Sequence, residues 1–105
     1  MSRWFRYFFA DDDVWLHYEV DDEGRVCRQV DLAGADLSPV TAASLAEVLH
    51  ARDSGGVETV IAYESRFGAM AEGQHEWQGV PGLENITAAE FERIWAAARE
   101  VLEER

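Results

Sequence analysis

Arg3–Leu32, RWFRYFFADDDVWLHYEVDDEGRVCRQVDL, decides the fold. It reads as three consecutive β-strands joined by two acidic turns. Trp4–Phe9 is an unbroken run of aromatics interrupted only by Arg6, and aromatics favour a pleated, half-buried surface. Alternation puts Phe5, Tyr7 and Phe9 on one face and Trp4, Arg6 and Phe8 on the other. Both faces are aromatic, so one is core and the other is either covered or offered to a partner. Asp11-Asp12-Asp13 ends the run as a solvated turn. Val14–Val20 then alternates cleanly, with Val14, Leu16, Tyr18 and Val20 opposite Trp15, His17 and Glu19. That is the pattern of an antiparallel strand. Asp21-Asp22-Glu23-Gly24 makes the second turn. In the third strand Val26, Val30 and Leu32 share a face, and Cys27, Gln29 and Asp31 take the other. Arg28 interrupts the apolar face, its stem packing there and its head reaching solvent.

After the meander the pattern turns helical. Ala33–Ser38 reads as a loop. A helix is expected from Thr41, carried by Ala42, Leu45, Val48 and Leu49 and ended by Asp53-Ser54-Gly55-Gly56. A second helix is expected over Val57–Phe67, with Tyr63 and Phe67 paired one turn apart and Gly68 just past its end. Its Val-Ile content also permits a strand at Thr59–Tyr63. Residues 69–84 are irregular, with Gly73, Gly79, Pro81 and Gly82 around Trp77. Met70–Glu72 or His75–Gln78 offers a fourth, edge strand. The last helix is the clearest. Thr87 and Glu90 form a capping box, Ile86 and Phe91 a staple, and Phe91, Ile94, Trp95, Ala98, Val101 and Leu102 one apolar stripe. The stripe is expected to cover Phe5, Leu16 and Tyr18. Glu103 and Glu104 lie at the negative end of the helix dipole, which favours fraying. The expected architecture is one α+β domain over residues 1–105. It has a three- or four-stranded antiparallel sheet and about three helices.

Composition narrows the function. The chain has 105 residues and a formal net charge of −12, and all nine cations are arginine. The lack of lysine and abundance of alanine point to a GC-rich coding genome. Carboxylates outnumber cations 21 to 9, and no basic cluster exceeds Arg3 and Arg6, which argues against direct nucleic-acid binding. An acidic surface solvates the protein and steers basic partners. No apolar run is long enough for a membrane and no secretory leader is visible, so the expected location is cytoplasmic. Cys27 is the single cysteine, which fits a reducing compartment and reads as a small buried or half-buried hydrophobe.

No motif demands catalysis. There is no Gly-x-Ser-x-Gly elbow, and a phosphate loop ending in lysine is impossible here. His17, Glu19 and His75 form a permissible metal set that nothing in their spacing requires. The two aspartate-rich turns lack the spacing of a calcium loop. No metal or cofactor is assigned. What remains is an aromatic excess, and Trp and Arg are frequent interface anchors. Trp4, Arg6, Trp15, His17 and Trp77 are the candidate partner-binding residues.

The whole pattern resembles a family of small actinobacterial α+β domains without an assigned activity. The resemblance rests on the opening aromatic strand, VWLHYEVDDEGRVCRQVDL at 14–32, SLAEV at 44–48 and ITAAEFERIW at 86–95. In size and charge the chain is also similar to immunity proteins of toxin systems. The function expected first is therefore a non-enzymatic acidic protein-binding module, most concretely an immunity-like inhibitor of a basic toxin. One alternative is a small-molecule binder or small enzyme with a pocket between the sheet and the 69–84 loop, lined by Trp15, His17, Tyr63 and Trp77. The other is a homodimeric accessory protein.

Overall fold

The computed structural model describes every residue from Met1 to Arg105. It is an α+β fold of five strands and two helices. Strands β1 (Arg3–Phe9), β2 (Val14–Val20), β3 (Val26–Ala33) and β4 (Ser38–Ser44) form an antiparallel sheet. A two-residue strand β5 (Glu84–Asn85) pairs with β1, so the order is β4-β3-β2-β1-β5. Helix α1 covers Leu45–Phe67 and helix α2 Ala88–Glu103. Neither helix is long and apolar enough to cross a membrane.

The three-strand meander forms as its alternation requires. The first turn is a short 3-10 segment closed by Asp13 in the left-handed region at φ 51°. In the second, the Asp21 carboxylate accepts the backbone N–H groups of Glu23 and Arg25 at 2.9 and 3.0 Å. That is an aspartate supplying the turn's missing acceptor.

Beyond the meander, three expectations are corrected. Ser38–Ser44 is a strand, not the approach to a helix at Thr41. Pro39 lies on an edge strand, where a missing N–H is tolerated. Thr41, Ala42 and Ala43 are small enough to be buried flat beneath other elements. The helix begins at Leu45, where Ser44 caps it by accepting the Glu47 N–H. Secondly, the expected break at Asp53–Gly56 is a kink. Gly56 takes φ 71° and ψ −151°, which only glycine adopts readily, and helix resumes at once on the other side. The helices therefore number two rather than three. Thirdly, the added strand is not Met70–Glu72 or His75–Gln78 but β5, directly before α2, which makes five strands rather than three or four.

The most consequential correction concerns which face α2 covers. Strand register places Trp4, Arg6, Phe8, Trp15, His17, Glu19, Arg28, Val30, Leu32 and Ala42 on one face. Helix α2 packs there, its Phe91, Ala98 and Leu102 fully buried against Val30 and Ala42, with Trp4 and Leu32 at the margin. It does not cover Phe5, Leu16 and Tyr18, which point to the second face. Two causes are visible. The Ile86 N–H bonds the Trp4 carbonyl at 3.1 Å, so the chain enters α2 beside Trp4. Arg28 then demands partners. Its head is not in solvent. The guanidinium donates to both Glu19 oxygens at 2.8 and 2.9 Å and reaches Glu92. Its central carbon lies 4.9 Å from the Phe91 ring centre and 5.0 Å from that of Trp95.

Part of the second face is covered by the 69–84 loop. A bulge between Glu19 and Val20 turns Val26 onto this face, and Phe5, Val20 and Val26 form a second core under Met70, Ala71, Trp77 and Leu83. Just past α1, Gly68 sits at φ +85° against Thr41. The start of α2 carries both halves of the Thr87–Glu90 capping box. At the end of α2, Arg66 donates to the Glu103 carbonyl at 2.8 Å.

Glu19 and Arg28 are each mostly buried, with 16 and 19 % of the side chain exposed. The hydrogen bond from Arg28, with a further one from Trp4, holds the Glu19 carboxyl below its usual range. A depressed carboxylate contributes stability that is complete above its unfolded value and is lost as pH falls through its folded value. Glu19→Gln is expected to cost about 1–3 kcal/mol at pH 7. Urea unfolding across a pH series should show that difference disappear on acidification.

Candidate functional site

Exposed apolar side chains gather at one end of the sheet, the end that carries the β1–β2 turn. Phe8 and Phe9 are 39 and 38 % exposed, and Leu37 and Val40 are 48 and 42 % exposed. Cross-strand register makes them neighbours of one another's rows: Phe8 pairs Trp15, which pairs Leu32, which pairs Pro39, and Phe9 pairs Val14, which pairs Ala33. Asp11, Asp12 and Asp13 are exposed at the tip of the same hairpin. Helix α2 reaches only the margin of this end, where Ile94 and Val101 approach Leu37 and Pro39. The aromatic run places large side chains on both faces, and the three aspartates force the chain into water directly beside them. Val57 and Ile61, one turn apart on α1, are also exposed, but no aromatic or aspartate cluster accompanies them in the sequence.

On the first face the patch is Phe8, Trp15 and Arg6. The Phe8 and Trp15 rings are tilted with centres 5.1 Å apart. Arg6 lies over Trp15 at 4.9 Å and donates to Glu84 at 2.7 Å. His17 lies in the next row but is only 4 % exposed, its Nδ1 3.1 Å from the Val30 carbonyl. Burial pulls its pKa below the usual value, so it is a neutral core residue at pH 7.

The other candidate residues lie elsewhere. Trp4 is half-buried under the edge of α2 and donates to Glu19 at 3.0 Å. Trp77 is on the second face, stacked on Phe5 at 5.8 Å and tilted against Tyr18 at 4.9 Å, with its Nε1 donating to the Gly24 carbonyl. Tyr63 joins α1 to α2: its hydroxyl donates to Glu47 at 2.6 Å and accepts from the Ser44 N–H and Arg99. Of Trp4, Arg6, Trp15, His17 and Trp77, only Arg6 and Trp15 meet at the surface. Trp15, His17, Tyr63 and Trp77 do not converge, so the pocket expected from them is not formed. His17 and Glu19 share the first face, but His75 is across the sheet, lying edge-on to Trp77 at 5.5 Å. No three His, Cys, Asp or Glu side chains are placed to hold an ion. The Cys27 thiol is pushed up first by burial and then by Asp21 and Glu19, which suits a thiol rather than a nucleophilic thiolate.

On the second face the same end of the sheet holds a feature that residue spacing does not announce. Phe9, Asp12, Val14, Leu16, Asp31, Ala33 and Val40 enclose an open cleft of about 460 Å3. Asp31 is half-buried among apolar walls. Gln29 Nε2 donates to both of its oxygens at 3.0 and 3.2 Å. Gln29 is itself held, because its own oxygen accepts the Ala71 N–H at 2.8 Å. Burial raises the Asp31 pKa more than Gln29 and Thr41 lower it. The only hint in the sequence is that Gln29 and Asp31 share a strand face with each other, opposite Arg28.

No protein-family model matches the chain, and neither a curated protein nor a solved structure is found to be similar to it.

The direction of the Asp31 shift makes a stability test. A carboxyl whose folded value is raised binds its proton more tightly when folded, so wild-type stability falls as pH rises from the unfolded value through the folded one. Asp12 on the cleft wall and the nearby Tyr18 share its surroundings, and no arginine adjoins it. Asp31→Asn is expected to keep the fold and to be more stable than wild type at pH 7, with the gain shrinking below the ordinary carboxylate pKa. Thermal melts at about pH 3.5 and pH 7, on either side of that ordinary value, compare the two.

Proposed function

We propose that the chain is a non-enzymatic binding module that recognises another protein, one with a basic and partly apolar surface, through the β1–β2 end of its sheet. The observation that carries this reading is the exposure of Phe8, Phe9, Leu37 and Val40 at the end that also displays Asp11, Asp12 and Asp13. Apolar groups supply the buried centre of an interface and carboxylates supply a charged rim. A net charge of −12 adds long-range attraction for a basic partner. An immunity-like inhibitor of a basic toxin is the most concrete form of the reading.

Two further observations favour binding over catalysis. The cleft contains two carboxylates, Asp12 and Asp31, but no hydroxyl, thiol or amine nucleophile, and no histidine lines it. The inward-facing arginines are already committed, Arg28 to Glu19 and Glu92 and Arg99 to Glu47 and Glu103. Of the seven other arginines, Arg6, Arg25 and Arg52 also pair with carboxylates, which leaves few cations for a nucleic-acid or phosphate ligand. A second copy of the chain is a poor occupant, since two such ends would set aspartates against aspartates.

The test is capture from host lysate of the tagged chain, at low and at physiological salt, with two variants alongside. Phe8→Ser with Phe9→Ser should weaken capture of the partner about tenfold or more. Neutralising Asp11, Asp12 and Asp13 to asparagine should slow association about tenfold at low salt and much less at high salt. Recovery of the bait alone, or of a partner that both variants retain, would contradict the reading.

A further inference from the structure

We propose that the cleft on the second face is a receptor for one arginine side chain of the bound protein. The aliphatic stem would lie along Leu16, Ala33 and Val40, and the guanidinium would meet Asp31 and face Phe9. This rests on the protein-binding reading above and names the partner group that it requires.

The chain itself shows what an arginine needs in this fold. Arg28 pairs with Glu19 while lying over Phe91 and Trp95. Arg99 pairs with Glu47 while lying over Phe67 at 3.9 Å and Trp95 at 4.5 Å. Each site combines a carboxylate that accepts the planar fork with an aromatic face that takes the flat cation. The cleft is lined by a carboxylate, Asp31, and an aromatic, Phe9, and no arginine occupies it. Glu19 is drawn in against the body of the protein with Arg28, and the more exposed Glu47 holds Arg99. Asp31 is drawn in with only neutral partners, the Gln29 amide and the Thr41 hydroxyl.

A half-buried carboxylate without a cation is costly unless something compensates it. Here Gln29, pinned by the Ala71 N–H, keeps one amide hydrogen-bonded to both oxygens and so fixes the carboxylate's position. Asp12 adds a second negative charge at the wall. The floor is a sheet face, so the stem of a long side chain has apolar surface along its length. A shorter or neutral side chain would leave either Asp31 or that surface unmet.

The proposal is tested by NMR with a tripeptide probe, acetyl-Leu-Arg-Leu-amide, beside the same peptide carrying lysine or citrulline in place of arginine. The arginine peptide is expected to shift the methyl signals of Val14, Leu16, Ala33 and Val40 saturably at millimolar concentration. The citrulline peptide should bind about tenfold or more weakly, since it loses a charge-assisted pair, and the lysine peptide several-fold more weakly. Asp31→Asn should lose about tenfold of the arginine affinity, again through the lost charge-assisted pair, while its other signals stay in place. No saturable shift, equal binding of the citrulline or lysine peptide, or shifts centred on Trp15 would overturn the inference. The two readings fail separately. A captured partner retained by Asp31→Asn but lost by the Phe8/Phe9 variant leaves the protein-binding reading standing and removes this cleft from it. Peptide binding in the absence of any captured protein upholds the cleft and removes the larger reading.

Discussion

Two guanidinium groups lie against the Trp95 ring, Arg28 at 5.0 Å and Arg99 at 4.5 Å from its centre, and the rest of the fold is built around that cluster. Arg28 stands on β3, bonds Glu19 on β2 and Glu92 on α2, and Glu19 in turn receives Trp4 from β1. Arg99 stands on α2, donates to the Ala42 carbonyl on β4 at 2.7 Å and meets Glu47 and Tyr63 on α1. Two arginines therefore tie together four strands and both helices. A charge brought this far out of water is stable only when every partner is present. The network consequently favours the observed position of α2.

That position uses up covering material at one end of the sheet. Helix α2 and the end of α1 close over Val30 and Ala42, with Phe67 packed against them. On the opposite face the 69–84 loop closes over Phe5, Val20 and Val26, held by Trp77 and the Gly24 carbonyl. Little remains for the β1–β2 end, which is left with aromatic side chains on both faces and aspartates at its tip. In a small fold with a limited core, such a surface costs solubility unless charge offsets it. The three aspartates make that surface tolerable in water, and they also give it a preference for cationic partners.

The parts of the fold legible in the sequence were those set by strictly local rules. The meander followed from alternation, and α2 followed from its stripe and from Thr87 and Glu90. The kink at Gly56 was visible as a break, though a break and a kink are indistinguishable from the residues alone. β4 was hidden because Thr41-Ala42-Ala43 suits a helix by propensity, and only burial beneath the helices makes small residues favourable in a strand. Which face α2 covers was not readable from β1, where both faces are aromatic. Arg28 carried the signal. A cation on an apolar strand face requires carboxylates nearby, and Glu19 and Glu92 were available. Of the site, Arg6 and Trp15 were legible as a surface cation and aromatic, while Asp31 looks in the sequence like one more polar residue on an alternating strand. Its significance arises from walls contributed by Phe9, Leu16 and Val40, which only the register brings together.

If the uncovered end of the sheet, and not the helices or the loop, is the surface that meets another protein, amide hydrogen exchange of the chain, free and with its captured partner, should show it. The expected result is new protection over residues 7–16 and 33–40, with α1 and residues 69–84 unchanged. Protection confined to α1 or to the 69–84 loop, or no change anywhere, would refute it.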